Sequence, residues 1–566
     1  MNKLLLFVSI LLTLTACQKK EVADIIFFNA NIYTVNEKQP RAQAIAVKDN
    51  RIIAIGDNEI KEQFGGENTV LRDIEGAFLM PGFIEGHAHF SGLGNSLMNL
   101  NFLKSKNWEE IVGMVAESVK KADKGEWIIG RGWHQEKWDA LPERQVLGYP
   151  YHDQLSEISP DNPVVLRHAS GHSLFANKAA MDLVGISIET PNPAGGEIVR
   201  GDNQEAIGVF EETAMDAFQQ AYDNYLATLS PADNEARWYK SIRLAVDNCL
   251  ANGITSFQDA GSGFEELDRY ERMAKEGRLD VRLWAMVGAR EENLATGIQK
   301  YPLLNAGDHF FTCRAIKAYA DGALGAFGAW MLQPYHDKPD ADGQNVTPVP
   351  ELKRVAALAF DNNMQMCIHA IGDRANRLVL DIYQENFQRD TSKKDFRWRI
   401  EHAQHIDPKD IPRFKELGVI ASMQGIHCTS DAPFVEKRLG TERARNGAYP
   451  WRSLLDAGVV IANGTDAPVE DISAIESFYA SVTRKRADTG MEFFPEQSMT
   501  RAEAIYSYTL GNAFAAFEEK DKGSLEVGKL ADFVVLTRDL ERCSDDEILS
   551  TEILLTVVGG VVKFEK

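Results

Sequence analysis

The sequence predicts an α/β protein. The expected architecture is a (β/α)8 TIM-like barrel with a composite β-sandwich built from both termini and an inserted α+β subdomain. Three observations predict it. Both ends of the chain read as short alternating strands, the long middle alternates helical and apolar-strand patterns, and several apolar strands stop at polar or titratable residues. In a parallel barrel those strand ends form the functional face.

At the N-terminus, Lys3 precedes an apolar run from Leu4 to Leu14 that leads into Leu14-Thr15-Ala16-Cys17. The run is shorter than the roughly 20 residues a spanning helix needs and suits a secretory signal. Small residues ahead of a cysteine resemble the lipobox of bacterial lipoproteins. That resemblance implies a signal peptide over residues 1–16, lipidation of Cys17, and a membrane-anchored protein of the cell envelope facing the periplasm.

From Asp24 onward come Ile25-Ile-Phe-Phe, Asn31-Ile-Tyr-Thr-Val, Ala44-Ile-Ala-Val and Arg51-Ile-Ile-Ala-Ile-Gly, separated by Asn, Asp and Gly. These read as hairpins, and the segments after Gly523 and Thr556 look the same. Residues 17–80 and 516–566 are therefore assigned to one β-sandwich, and 81–515 to the barrel. Within the barrel, Glu351 to Asn363 is a helical pattern followed by Met364-Gln-Met-Cys-Ile-His369. Pro408 to Leu417 is followed by Val419-Ile-Ala-Ser-Met-Gln424 in the same way.

Strand ends fall at His89, Lys317, His369, His402, Gln424 and Asp466. With a barrel repeat of roughly 30 residues, Lys317, His369, His402 and Asp466 fit strands four, five, six and eight. The interval from His89 to Lys317 exceeds three repeats by roughly 140 residues. A domain-sized insertion accounts for the excess, at about residues 107–212.

Composition narrows the function. A formal net charge of -22 excludes nucleic acid as a partner, because phosphate binding needs a basic surface. The cysteines after Cys17 are scattered with no Cys-x-x-Cys pair, so no disulfide framework is expected. Cys428 adjoins His427, but a buried thiol rather than a nucleophile is the expected reading.

The chemistry is carried first by Phe78-Leu-Met-Pro-Gly-Phe-Ile-Glu-Gly-His87-Ala-His89. Residues i and i+2 of a strand share a face, so both imidazoles can reach one point, where a metal ion suits them. Alongside it stand Ile368-His-Ala-Ile-Gly-Asp373, Ile400-Glu-His402-Ala, Gly464-Thr-Asp466-Ala-Pro and Gly528-Lys-Leu-Ala-Asp-Phe533. Together they resemble the metal-dependent amidohydrolase superfamily, in its subgroup of N-substituted formamide deformylase-like enzymes (the amidohydrolase 3 type). The insertion resembles that subgroup too, in Gly130-Arg-Gly-Trp133, Ser159-Pro-Asp-Asn-Pro-Val, Ser170-Gly-His172-Ser and Pro193-Ala-Gly-Gly-Glu-Ile-Val-Arg200.

The resemblance implies that His87 and His89 bind one metal ion and that His369 and His402 bind a second. Lys317, in Ala315-Ile-Lys-Ala-Tyr-Ala-Asp-Gly, matches the position of a carboxylated lysine that bridges both ions. Asp466 completes the first site and accepts a proton from the attacking water. Glu85 departs from the pattern, which more often has Asp there. The implied cofactor is two Zn2+ ions, with Mn2+, Fe2+ or Co2+ as alternatives, since the donors are nitrogen and oxygen without thiolate.

Blander readings stand beside these. Lys317 and Asp321, four residues apart, suit a helical ion pair, and Asp466 suits a helix cap ahead of Pro468. His172, Gln424 and His427 are candidates for the substrate pocket, Trp133 and Trp138 for an apolar wall, and Arg200 and Arg374 for a substrate carboxylate. The expected function is hydrolysis of a C–N bond in an amide, N-acyl or N-formyl amine, acting on a small-molecule substrate. Rival readings are a mononuclear deaminase, an ester or lactone hydrolase, and a non-catalytic binding lipoprotein. A homodimer is the default assembly.

Overall fold

Eight parallel strands in sequential order form the frame that positions the site. They are β1 (Phe83–Ala88), β2 (Ile254–Ser262), β3 (Arg282–Val287), β4 (Phe311–Tyr319), β5 (Gln365–Ala370), β6 (Arg399–His402), β7 (Ile420–Gln424) and β8 (Ile461–Gly464). The structure is a computed structural model and describes residues 21–135, 138–168, 173–193, 196–288, 291–325 and 327–566. Residues 1–16, Cys17 and His172 lie outside the described residues.

The strands are apolar on both faces because side chains fill the interior while helices cover the outside. Every residue of β1, β3, β6, β7 and β8 is buried. The helix Asp373–Phe387, between β5 and β6, buries Ala375, Val379, Ile382 and Tyr383 on one face, at the spacing an amphipathic helix requires. The helix Pro231–Ala251 starts where Ser230 caps the Asp233 amide and proline occupies the first turn.

Closure between β8 and β1 uses few ladder bonds. The Asp466 amide donates to the His87 carbonyl (2.7 Å), and the His89 amide donates to the Ala467 carbonyl (2.8 Å). Asn512, from the helix Leu510–Ala515, bridges the rest of the seam. Its Nδ2 donates to the carbonyls of Ile84 (2.5 Å) and Asn463 (2.7 Å), and its Oδ1 accepts from the Asn463 amide (3.0 Å). Gly86 is required at this closure, since a Cβ there would stand 2.5 Å from both the Asn463 carbonyl and Asn512 Oδ1.

Outside the barrel, a four-stranded sheet from residues 25–73 faces a six-stranded sheet. The larger sheet joins Asn31–Tyr33, Arg41–Ala42 and Phe78–Pro81 to Phe533–Leu536, Ile553–Val558 and Val561–Glu565. Phe27, Ile45, Leu79, Phe533 and Val557 share one apolar core there. A buried bidentate pair, Arg282 Nε to Asp532 Oδ2 (2.7 Å) and Nη2 to Oδ1 (3.0 Å), fastens β3 to the segment leading into Phe533–Leu536.

Between β1 and β2, a separate six-stranded sheet runs from Leu100–Asn101 to Ala206–Glu212. Trp133 is fully buried in its core beside Trp108 and Phe175, with Nε1 donating to the Leu166 carbonyl (2.7 Å), and Trp138 packs against the same core. Neither tryptophan lines the central cavity, so the apolar-wall expectation is replaced by insertion packing. Arg200 donates to the carbonyls of Gln204 and Thr190, and Arg374 pairs with Asp342 (3.1 Å). Both guanidinium groups are thus already held by the protein.

Candidate active site

The C-terminal ends of β1, β4, β5, β6, β7 and β8 converge on a cavity of about 510 Å3. His89, Lys317, His369, His402, His427 and Asp466 line it. Its size suits a small organic ligand. His87 is completely buried beneath the cavity floor.

Asp466 is the centre of the arrangement. Its Oδ1 stands 3.2 Å from His89 Nε2 and 3.7 Å from His87 Nε2, and its Oδ2 stands 3.7 Å from His427 Nε2. Two groups of donor atoms therefore share this carboxylate: His87, His89 and Asp466, and His402, His427 and Asp466, each within 4.8 Å. His427, expected at the substrate pocket, stands among the donors because it lies on the first turn of the helix Gly425–Leu439, immediately after β7.

His369 lies beside the second group without completing it. Its ring centre is 4.4 Å from that of His402, while its Nε2 is 3.5 Å from Asp321 Oδ1. Lys317 Nζ is 3.4 Å from His87 Nε2, so the lysine points into the donor cluster and forms no helical pair with Asp321. Asp321 instead accepts the backbone amides of Trp330, Ile371 and Gly372.

Gln424 does not line the cavity. It is buried behind His402, with Oε1 2.7 Å from His402 Nδ1. An amide oxygen only accepts, so His402 carries its proton on Nδ1 and turns a lone pair on Nε2 toward the cavity. Glu401 does the same for His87: its carboxylate meets His87 Nδ1 and is itself held by Arg399 Nε (2.7 Å) and Nη2 (3.0 Å). Sequence reading missed Glu401, although it sits within the Ile400-Glu-His402 motif. Strict alternation would put it on the face opposite His402, but His402 has a φ of 73° at the strand end, and both side chains meet His87.

Glu85 is a seam residue. Its carboxylate accepts the amides of His87 (3.0 Å) and Thr465 (2.9 Å) and the Thr465 hydroxyl (2.9 Å), tying the strand that carries the histidines to the turn that carries Asp466. A longer side chain than Asp spans this gap without touching a donor atom.

Burial sets the protonation states. It pushes His87 down to about 4 and His369 to about 3, and it drives His402 well below the ordinary histidine value, so all three imidazoles are neutral at pH 7. Burial also lowers the Lys317 ammonium, against the pull of Glu401 and Asp466. For Asp466 burial alone would raise the pKa; the side-chain hydrogen bond from His89 is the largest opposing effect, and the carboxyl is held well below the usual range.

The donor set fits a divalent cation. His427 Nε2 and His369 Nε2 are buried with no hydrogen-bond partner among the described residues. Buried polar atoms are almost always satisfied, and a cation would satisfy neutral imidazoles and a carboxylate together. Donors of this kind at the C-terminal mouth of a parallel barrel form a candidate divalent-metal site.

The chain belongs to the amidohydrolase family, whose model matches residues 71–564. Protein LONG AFTER FAR-RED 3 of Arabidopsis thaliana is 31% identical over 553 residues, covering 95% of this chain and 91% of that protein. N-substituted formamide deformylase of Arthrobacter pascens is 28% identical over 558 residues, covering 96% and 99%. Among solved structures, an uncharacterized metal-dependent hydrolase from Pyrococcus furiosus has a TM-score of 0.71 at 26% identity, covering 92% of this chain and all of that one.

Proposed function

We propose that the protein is a metal-dependent hydrolase that cleaves the C–N bond of an amide, an N-acyl amine or an N-formyl amine. The observation that carries this reading is the shared Asp466 carboxylate, ionised and buried between two imidazole groups. The similarity to the formamide deformylase over nearly both whole chains supports the substrate class.

His87, His89 and Asp466 would hold one divalent ion, and His402 and His427, with His369 beside them, a second. When bound, such ions polarise a carbonyl and acidify water. Lys317 suits the bridging role because burial favours its neutral amine, the form that adds carbon dioxide and releases a proton to become an anionic carbamate. As an ammonium it would repel the ions. Nitrogen and oxygen donors favour Zn2+, with Mn2+, Fe2+ or Co2+ as alternatives.

Asp466 takes the proton of the attacking water and delivers it to the departing nitrogen, so the carboxylate is regenerated at the end of the cycle. Glu401 and Gln424 keep His87 and His402 in the tautomers this requires. Leu324, Ile371 and Phe434 give the cavity an apolar side for the amine substituent.

The test is product analysis on N-formyl and N-acyl amines with metal-loaded protein. Release of free amine and carboxylate, abolished by chelation and by Asp466→Asn, supports the reading. Ammonia released from amidine-like rings instead would move the protein to deamination, and no turnover of either class would overturn hydrolysis. The export reading rests on Lys3 to Cys17. Cys17→Ser is expected to release the protein from the membrane fraction, and continued membrane binding would remove the lipid anchor.

A further inference from the structure

The helix Gly425–Leu439 lines the catalytic cavity with His427, Asp431 and Phe434, at positions i, i+4 and i+7 of one face. His427 stands at the metal end, beside Asp466. Asp431 follows one helical turn, about 5.4 Å, further along the wall. Glu470, beyond the end of β8, joins it on the lining. Apart from the donor set, these two carboxylates are the only charged side chains among the described residues that line the cavity.

The Asp431 carboxylate is held in place without being neutralised. Its Oδ2 accepts the Tyr449 hydroxyl (2.6 Å) and Gln404 Nε2 (2.9 Å). Its Oδ1 has no hydrogen-bond partner among the described residues, yet it keeps accessible surface on the cavity side. Glu470 accepts the Ser430 hydroxyl on Oε1 (2.5 Å). The guanidinium groups near Glu470 are committed elsewhere, Arg131 to the Pro468 carbonyl (2.5 Å) and Arg486 to Asp488 (2.7 Å). Burial pushes the Asp431 carboxyl up to about 6, so it is ionised at pH 7. A charge withdrawn from water is stable when a partner of opposite sign reaches it.

We propose that the substrate is an N-acyl or N-formyl diamine, its carbonyl at the metal donors, its short alkyl spacer against Phe434 and its free ammonium between Asp431 Oδ1 and Glu470. This rests on the hydrolase reading above and names its substrate class. An ammonium has donors only, and the two carboxylates supply acceptors only. An anionic substituent would meet like charge on the same wall.

Rates for monoformyl and monoacetyl diaminobutane, compared with N-pentylformamide and N-pentylacetamide on metal-loaded protein, test this; in the pentyl compounds a methyl group replaces the ammonium. The kcat/KM value should favour the cationic member of each pair by about tenfold or more, the worth of a charge-assisted hydrogen bond. Asp431→Asn should collapse that ratio, and Glu470→Gln should reduce it. Equal values within each pair, or a ratio that Asp431→Asn leaves intact, would overturn the diamine assignment while hydrolysis stands. Turnover of neither pair would count against the hydrolase reading instead, and calorimetric titration of the same protein then decides the ammonium site. Diaminobutane should bind more tightly than pentylamine and lose that advantage in Asp431→Asn, whereas equal binding of the two amines would overturn the site.

Discussion

Glu401 on β6 receives the Nδ1 proton of His87 on β1, and both side chains are completely buried. The contact crosses the barrel interior between residues 314 positions apart in sequence. Burial alone would raise the Glu401 carboxyl; Arg399 and His87 reverse this and hold it ionised. His87 is thereby fixed as a neutral imidazole with Nε2 turned toward Lys317 and Asp466.

Glu401→Gln should therefore lower metal affinity about 10- to 100-fold, since loss of a carboxylate partner misorients a histidine ligand. A competition titration against a chromophoric chelator measures it. Affinity equal to the parent chain would separate Glu401 from the metal site.

Arg131 of the inserted sheet donates Nη1 to the Pro468 carbonyl (2.5 Å), two residues beyond Asp466. The insertion thus latches the turn that aims the central carboxylate. Arg131→Ala should cost about tenfold in kcat with KM little changed, the scale of one charge-assisted hydrogen bond. Added guanidinium ion should restore part of that loss, whereas a purely structural defect would not respond.

Asp466→Asn should keep the fold and retain metal at reduced affinity, because the amide oxygen remains a donor. Turnover should fall by about 100-fold or more, the contribution of a positioned proton carrier. Steady-state rates beside metal analysis check this, and activity near the parent value would remove Asp466 from proton transfer.

His405 predicts a pH dependence of stability. Burial lowers it from 6.5 to about 3, so the folded chain refuses a proton that the unfolded chain accepts between those values. Its contribution is constant above pH 6.5 and turns against the fold as pH falls through that value, at up to about 1.4 kcal/mol per pH unit. Denaturant unfolding at pH 7 and pH 5 should show a smaller acid loss in His405→Phe than in the parent chain. An equal loss would contradict the buried neutral histidine.

The frame was legible because barrel strands are apolar runs of limited length with a titratable end. Lys317, His369, His402 and Asp466 stand on or just beyond strands four, five, six and eight, where spacing put them. His87 and His89 share a face by simple alternation. Roles set by long-range packing were not legible. Gln424 ends a strand as a pocket residue would, yet it bonds the back of His402. His427 follows Gly425 on a helix whose first turn swings it toward Asp466, a direction no local pattern specifies. Trp133 is a candidate wall residue in the sequence, although aromatics are more often core, and it packs in the core of the inserted sheet.

The most direct measurement is metal content per chain, by elemental mass spectrometry, for the parent protein and Lys317→Ala. The account predicts about two divalent ions per chain, falling sharply in the variant as the bridge is lost. A parent protein that binds no divalent metal, even when refolded with Zn2+, would contradict it.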